Sequence, residues 1–107
     1  MTTEDGIQVT ECHLHPHLIA RMRQRGITRQ EIERVLNEGW EATDTKPGIS
    51  GRVLVFPFQE EWEGQFYQEK EVTVYYKLTK EGIVLLTAKA RYGKGFPQGV
   101  SKDESTI

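Results

Sequence analysis

The sequence predicts an α+β domain, with two N-terminal helices packed on an antiparallel sheet of three or four strands. Three observations carry this expectation. The stretch from His17 to Gly39 reads as two short helices with their end signals. Three later segments are rich in β-branched and aromatic residues. The connections between those segments have hairpin length and contain no crossover helix, so the strands pair antiparallel.

The first helix begins at His15-Pro16, where proline is tolerated in the first turn. Leu18, Ile19 and Met22 form its apolar stripe. Gly26 falls where a helix end requires positive φ, which glycine adopts without a steric penalty. Thr28 and Glu31 have capping-box spacing and open the second helix, expected over Arg29 to Glu38. Ile32, Val35 and Leu36 are its buried face, and Gly39 is expected to end it as Gly26 ends the first. Trp40 would then staple the helix end onto the core. Upstream, Ile7-Gln8-Val9 alternates briefly and predicts a short strand or an arm against the sheet.

Asp44 to Gly51 is a loop by composition. Arg52 to Phe56 is a strand, and Pro57 either stops its ladder or marks an edge. Gln59 to Lys70 is acidic and carries Trp62, Phe66 and Tyr67, which suggests a long hairpin excursion. Glu71 to Lys77 is a strand with Val72, Val74 and Tyr76 on one face. Leu78 to Gly82 is a turn, and Ile83 to Tyr92 the last strand. Strict alternation there puts Leu85, Thr87, Lys89 and Arg91 on one face and Val84, Leu86, Ala88 and Ala90 on the other. Leu18, Met22, Ile32, Val35, Leu36, Val53, Val55, Val74, Tyr76 and Leu86 are the expected core. The organisation is an arm or short strand over 1–12, one domain over 13–92, and a mobile tail over 93–107 rich in Gly, Pro, Ser and charge.

A chain of 107 residues, 36% of them apolar, supports one modest core. No apolar run reaches the roughly 18 residues of a membrane helix. The first residues are acidic with no apolar stretch, so no secretory leader is expected. Cys12 stands alone, which excludes an internal disulfide and fits a cytoplasmic location. It is expected as a small buried hydrophobe rather than a nucleophile. His13-x-His15-x-His17 has the look of a metal cluster, but Pro16 breaks a shared strand face and no further Cys or His pairs with it. It is read as a histidine-rich helix entrance; no metal and no cofactor is expected.

The net charge is −2, yet the charges are segregated. His13 to Arg34 holds five arginines against two glutamates. Lys77 to Gly95 holds five cations against Glu81, and Gln59 to Glu71 five glutamates against Lys70. Side by side, the two basic segments would make a positive patch; apart, they are ordinary solvated surface. His17, Arg21 and Arg25 follow one helical ridge, and Lys89, Arg91 and Tyr92 lie on the last strand. Metal-free RNA cleavage needs proton-transfer groups and cations for the phosphorane charge. Histidine suits the first task and arginine the second. His17, Arg21 and Arg91 are therefore the candidate catalytic residues, with Arg25, Lys89 and Tyr92 as substrate-binding residues. The same residue types also occur on inert basic surfaces.

The pattern His17-x-x-x-Arg21-Met22-x-x-Arg25-Gly26-Ile27-Thr28-x-x-Glu31-Ile32-x-x-Val35-Leu36-x-x-Gly39, followed by strands through Val72-Thr-Val-Tyr75, resembles the bacterial domain of unknown function 4258 family. The likeness spans roughly residues 13 to 92. That family in turn looks related to the small RelE- and ParE-like toxins of toxin–antitoxin modules, which set N-terminal helices against an antiparallel sheet. The resemblance implies a RelE-like fold and RNA as a target, since many of those toxins are ribonucleases. A pI near 5.9 and the acidic excursion depart from ribosome-binding toxins. Three functions follow: a metal-independent ribonuclease or RNA-binding protein; a non-catalytic interaction module partnering an antitoxin-like protein or itself as a homodimer; and, last, a metabolic enzyme on this scaffold. No membrane partner is expected.

Overall fold

The structure, a computed structural model, describes residues 6–97. It contains α1 (Pro16–Arg25), α2 (Arg29–Glu38), β1 (Trp40–Glu41), β2 (Ser50–Trp62), β3 (Gln65–Thr79) and β4 (Gly82–Gly93). The strands form one four-stranded sheet in the order β1-β2-β3-β4, every pair antiparallel. Both helices pack on one face, as the sequence predicts. No helix is long and apolar enough to cross a membrane.

The helix ends behave as local chemistry dictates. Gly26 has φ 69°, and the Ile27 amide donates to the Met22 carbonyl at 2.9 Å. Thr28 and Glu31 form the reciprocal capping box. Gly39 differs from expectation: its φ is −77°, in extended backbone. It is required by close approach instead, because a Cβ there would lie 2.5 Å from the Val53 carbonyl oxygen and 2.6 Å from that of Val35. Trp40 pairs with Val53 and packs partly buried against the core.

Leu18, Ile32, Val35 and Leu36 from the helices meet Leu54, Phe56, Val72, Val74, Leu85 and Ala88 from the sheet. Three expectations about this core are corrected. In β2 the helix-facing residues are Leu54 and Phe56, and Val53 is only half-buried; Val55 is buried as expected, though on the other face. Met22 and Tyr76 are also only partly buried. In β4 the alternation breaks. Tyr75 pairs with Thr87 but Tyr76 pairs with Leu85, so Leu86 is an extra, bulged residue. Leu85 enters the core and Leu86 is left half-exposed, the reverse of the expected phase.

The excursion from Gln59 to Lys70 is a hairpin continuing β2 and β3, so both strands run well past their expected ends. Pro57 lies within β2, on the side that β1 leaves unpaired. A bulge follows between Pro57 and Glu60, with Gln59 at φ 49°. Bulges bend strands and disfavour edge pairing. Beyond it Trp62 and Tyr67 fold back onto Tyr92.

Residues 7–9 form no strand; they are an arm tied to α2, with Val9 in the common core and Ile7 against it. Asn37 donates to the Ile7 carbonyl at 2.8 Å and accepts from its amide at 2.6 Å, and Val9 is buried. A short 3-10 turn at Glu11–His13 then leads to α1 and leaves Cys12 exposed rather than buried. After β4, Phe96 returns against Gly93 and Arg91. The expected mobile tail falls mostly on 98–107, outside the described residues.

Candidate functional site

α1 lies beside β4, the outer strand of the sheet, and covers its free edge. Two side chains of α1 and its cap satisfy that edge. His15 Nε2 donates to the Leu85 carbonyl at 2.9 Å, while its Nδ1 accepts from the Leu18 amide at 3.3 Å as the helix N-cap. These two bonds set the Nε2–H tautomer, because a carbonyl only accepts. Arg25 Nη1 donates to the Ala88 carbonyl at 2.7 Å. Sequence reasoning assigned Arg25 to substrate and gave His15 no role beyond the helix start.

His17 is exposed and stacks on His15, ring centroids 6.1 Å apart. Arg21 donates to the Gln24 side chain at 2.9 Å and is half-exposed. Arg23 is exposed on the same helix. Among the described residues, no carboxylate lies within 4 Å of Arg21, Arg23, Arg25 or Arg29, and α1 itself contains none. The outer side of α1 is thus a cationic surface with no carboxylate partner among the described residues.

Lys89 and Arg91 are not part of it. They flank Ala90 and sit opposite Thr73 and Glu71 of β3, on the sheet face away from the helices. Arg91 Nε pairs with Glu71 at 2.8 Å and its guanidinium stacks over Phe96. Lys89 donates to Asp44 Oδ2 at 3.1 Å, and Tyr75 donates to the same oxygen at 2.9 Å. The Tyr75 and Lys89 hydrogen bonds hold the Asp44 carboxyl below its usual range. Hydrogen bonding to Tyr75 and Asp44 raises Lys89, and burial raises Tyr75. The sheet, not any side chain, separates the two halves of the set expected to converge. Asp44 and Tyr75 were missed because their partner Lys89 is far away in sequence.

Tyr92 points back to the helices. Its hydroxyl donates to the Arg25 carbonyl, and its ring stacks on Trp62 with centroids 5.0 Å apart. Burial, with Glu31 and Glu63 nearby, pushes the phenol up to about 12. Beside it Lys70, 3% exposed, pairs with Glu31 at 2.8 Å, donates to the Gly26 carbonyl, and lies 5.6 Å from the Phe58 and Tyr92 ring centroids. The acidic, aromatic hairpin therefore clamps the α1–α2 elbow. Its one cation and its aromatics were visible in the sequence, but their destination was not.

Residues 14–89, from the entrance of α1 to Lys89, match the family described as Domain of unknown function (DUF4258). The chain belongs to this family. No curated protein and no solved structure matches it. The DUF4258 match takes in α1, α2, the elbow at Gly26, the Lys70–Glu31 pair and the Asp44–Tyr75–Lys89 cluster. It stops before Arg91 and Tyr92, so the Tyr92 contact to Arg25 lies partly outside the matched DUF4258 segment.

No group of three His, Cys, Asp or Glu side chains is arranged for a metal ion among the described residues. Both His15 nitrogens and His13 Nδ1 are already in protein hydrogen bonds.

Proposed function

We propose that this protein binds the phosphodiester backbone of RNA through the outward side of α1. The observation that carries the reading is the distribution of uncompensated cations. Lys70, Lys89, Arg91 and Arg34 each face a carboxylate; Arg21 and Arg23 belong to the cations that face none among the described residues, and they share one helix, α1, that contains no acidic residue. Guanidinium groups match phosphate oxygens in geometry and charge. A local positive surface on a chain of net charge −2 directs a polyanion to one side of the molecule. The resemblance of the helical motif to RelE-like toxins suggests the same ligand class, and the lone Cys12 fits a cytoplasmic location.

This arrangement supports binding more directly than cleavage. Cleavage through the 2′-hydroxyl needs two proton-transfer groups. His17 offers one. His15 has both nitrogens engaged, and the Tyr92 proton is held by the Arg25 carbonyl. Arg91, expected as a catalytic partner of His17, lies on the opposite sheet face.

The test is fluorescence anisotropy with labelled single-stranded RNA in chelator. Arg21→Ala and Arg23→Ala should each weaken binding and lower the salt slope by roughly 0.7. Lys89→Ala should leave both unchanged. Absence of binding at low salt, or an equal loss in Lys89→Ala, overturns the proposal. Any RNA cleavage should disappear in His17→Ala.

A second reading, a protein-interaction module, rests on the hairpin end. Phe66 is 56% exposed beside Glu60, Glu61 and Glu63. An antitoxin-like protein or a second copy would dock there, and light scattering with Phe66→Ser tests the homodimer.

A further inference from the structure

On the sheet face away from the helices, the loop between β1 and β2 borders an open cleft of about 300 Å³ against β3 and β4. Three separate features build it. The β4 bulge sends two consecutive side chains, Leu86 and Thr87, into the cleft, which unbroken alternation would forbid. Gly51 lets the loop close down: a Cβ there would lie 3.0 Å from Ala42 Cβ and Thr45 Cγ2, and 3.1 Å from Tyr75 Cδ1. The shared acceptor Asp44 Oδ2 ties the loop to Tyr75 and Lys89 across the sheet.

The wall chemistry is selective. Ile49, Leu86 and the Tyr75 ring supply apolar surface. Asp44 is already met by a phenol and an ammonium. Lys46 is then the charge on the wall with no carboxylate within 4 Å among the described residues. The volume is at the small end for ligand sites, enough for a single ring with a short arm.

We propose that this cleft binds a small monocarboxylate with a one-ring apolar body. The ring lies against Ile49 and Leu86, and the carboxylate meets the Lys46 ammonium. Amines are disfavoured, because Lys46 and Lys89 repel a cation and Asp44 is already paired. The site is independent of α1 and of RNA binding.

The experiment is heteronuclear NMR titration of the full chain with phenylacetate, phenethyl alcohol and phenethylamine. Phenylacetate should shift the amides of residues 44–49, Tyr75, Leu86 and Thr87. The alcohol should bind about tenfold more weakly, the worth of one charge-assisted contact, and the amine should not bind. Lys46→Ala, on an exposed loop, should weaken phenylacetate about tenfold and leave the alcohol unchanged. Leu86→Trp should fill the cleft and abolish both. Binding of the amine as tightly as phenylacetate overturns the proposal. So do shifts confined to α1, an unchanged affinity in Lys46→Ala, or no shifts at millimolar phenylacetate.

Discussion

The Lys70 ammonium lies buried against the Glu31 carboxylate, 2.8 Å from Oε1 and 3.0 Å from Oε2, and so joins β3 to the first turn of α2. Glu31 also accepts from the Thr28 amide as half of the capping box. One carboxylate thus serves a helix start and a buried cation together.

Removing that carboxylate should cost far more than losing a cap. Thr28→Ala should lose about 1 kcal/mol. Glu31→Ala also strands the Lys70 charge in the interior and should lose about 3–5 kcal/mol. Urea denaturation of both variants, with Glu31→Ala/Lys70→Met as the rescue, checks this. Equal losses in the two single variants would show that Lys70 finds another partner.

Gly26 is constrained twice. Its φ of 69° disfavours any other residue, and a Cβ would come within 2.6 Å of Trp62 Cζ3 and 2.8 Å of the Tyr92 hydroxyl. Gly26→Ala should therefore lose about 2–4 kcal/mol, the backbone strain plus overpacking. Combining it with Trp62→Leu removes much of the steric part, so the double variant should be less destabilised than the sum. Strict additivity would contradict the packing account.

Tyr92 makes stability fall in alkali. Its folded-state phenol is pushed from 10.0 up to about 12, so the folded protein holds the proton more tightly than the unfolded chain. That contribution is complete below pH 10 and is lost as pH rises toward 12. Melting temperature should drop across this window. Tyr92→Phe should flatten part of the drop, while Tyr75 and Lys89, which are also raised, contribute to the rest. At neutral pH the same variant loses the bond to the Arg25 carbonyl, about 1 kcal/mol.

His15 should behave as a structural side chain. His15→Ala removes the N-cap and the bond to the β4 edge, a loss of about 1–2 kcal/mol. His15→Asn should recover the cap alone and stand between the two in denaturant midpoint. RNA affinity per folded molecule should not change, in contrast to Arg21→Ala. A variant as stable as the parent would remove His15 from the account of the β4 edge.

Local chemistry made the helices legible. Pro16, Gly26, Thr28 and Glu31 act through backbone groups within one turn, so their roles can be read from spacing alone. The order of two helices followed by antiparallel strands could be read for the same reason: hairpin-length links leave no room for crossovers. The fate of the candidate site residues depended on longer range. A strand has period two, so one bulged residue exchanges its faces. The bulge at Leu86 is a mismatch between β3 and β4, which no window on β4 alone reveals. Lys89 and Arg91 fall behind the sheet because Ala88 and Ala90 fit under the helices. Lys70 could be read as a lone cation in an acidic hairpin, but its burial requires the bend at Gln59 and the approach of the elbow at Gly26. The sequence determined where each helix begins and ends, because those decisions rest on near neighbours, whereas strand ends depend on partners and ran past their expected limits in β2 and β3. Tertiary packing decided which side chains share a surface, because that depends on strand phase and on partners dozens of residues away.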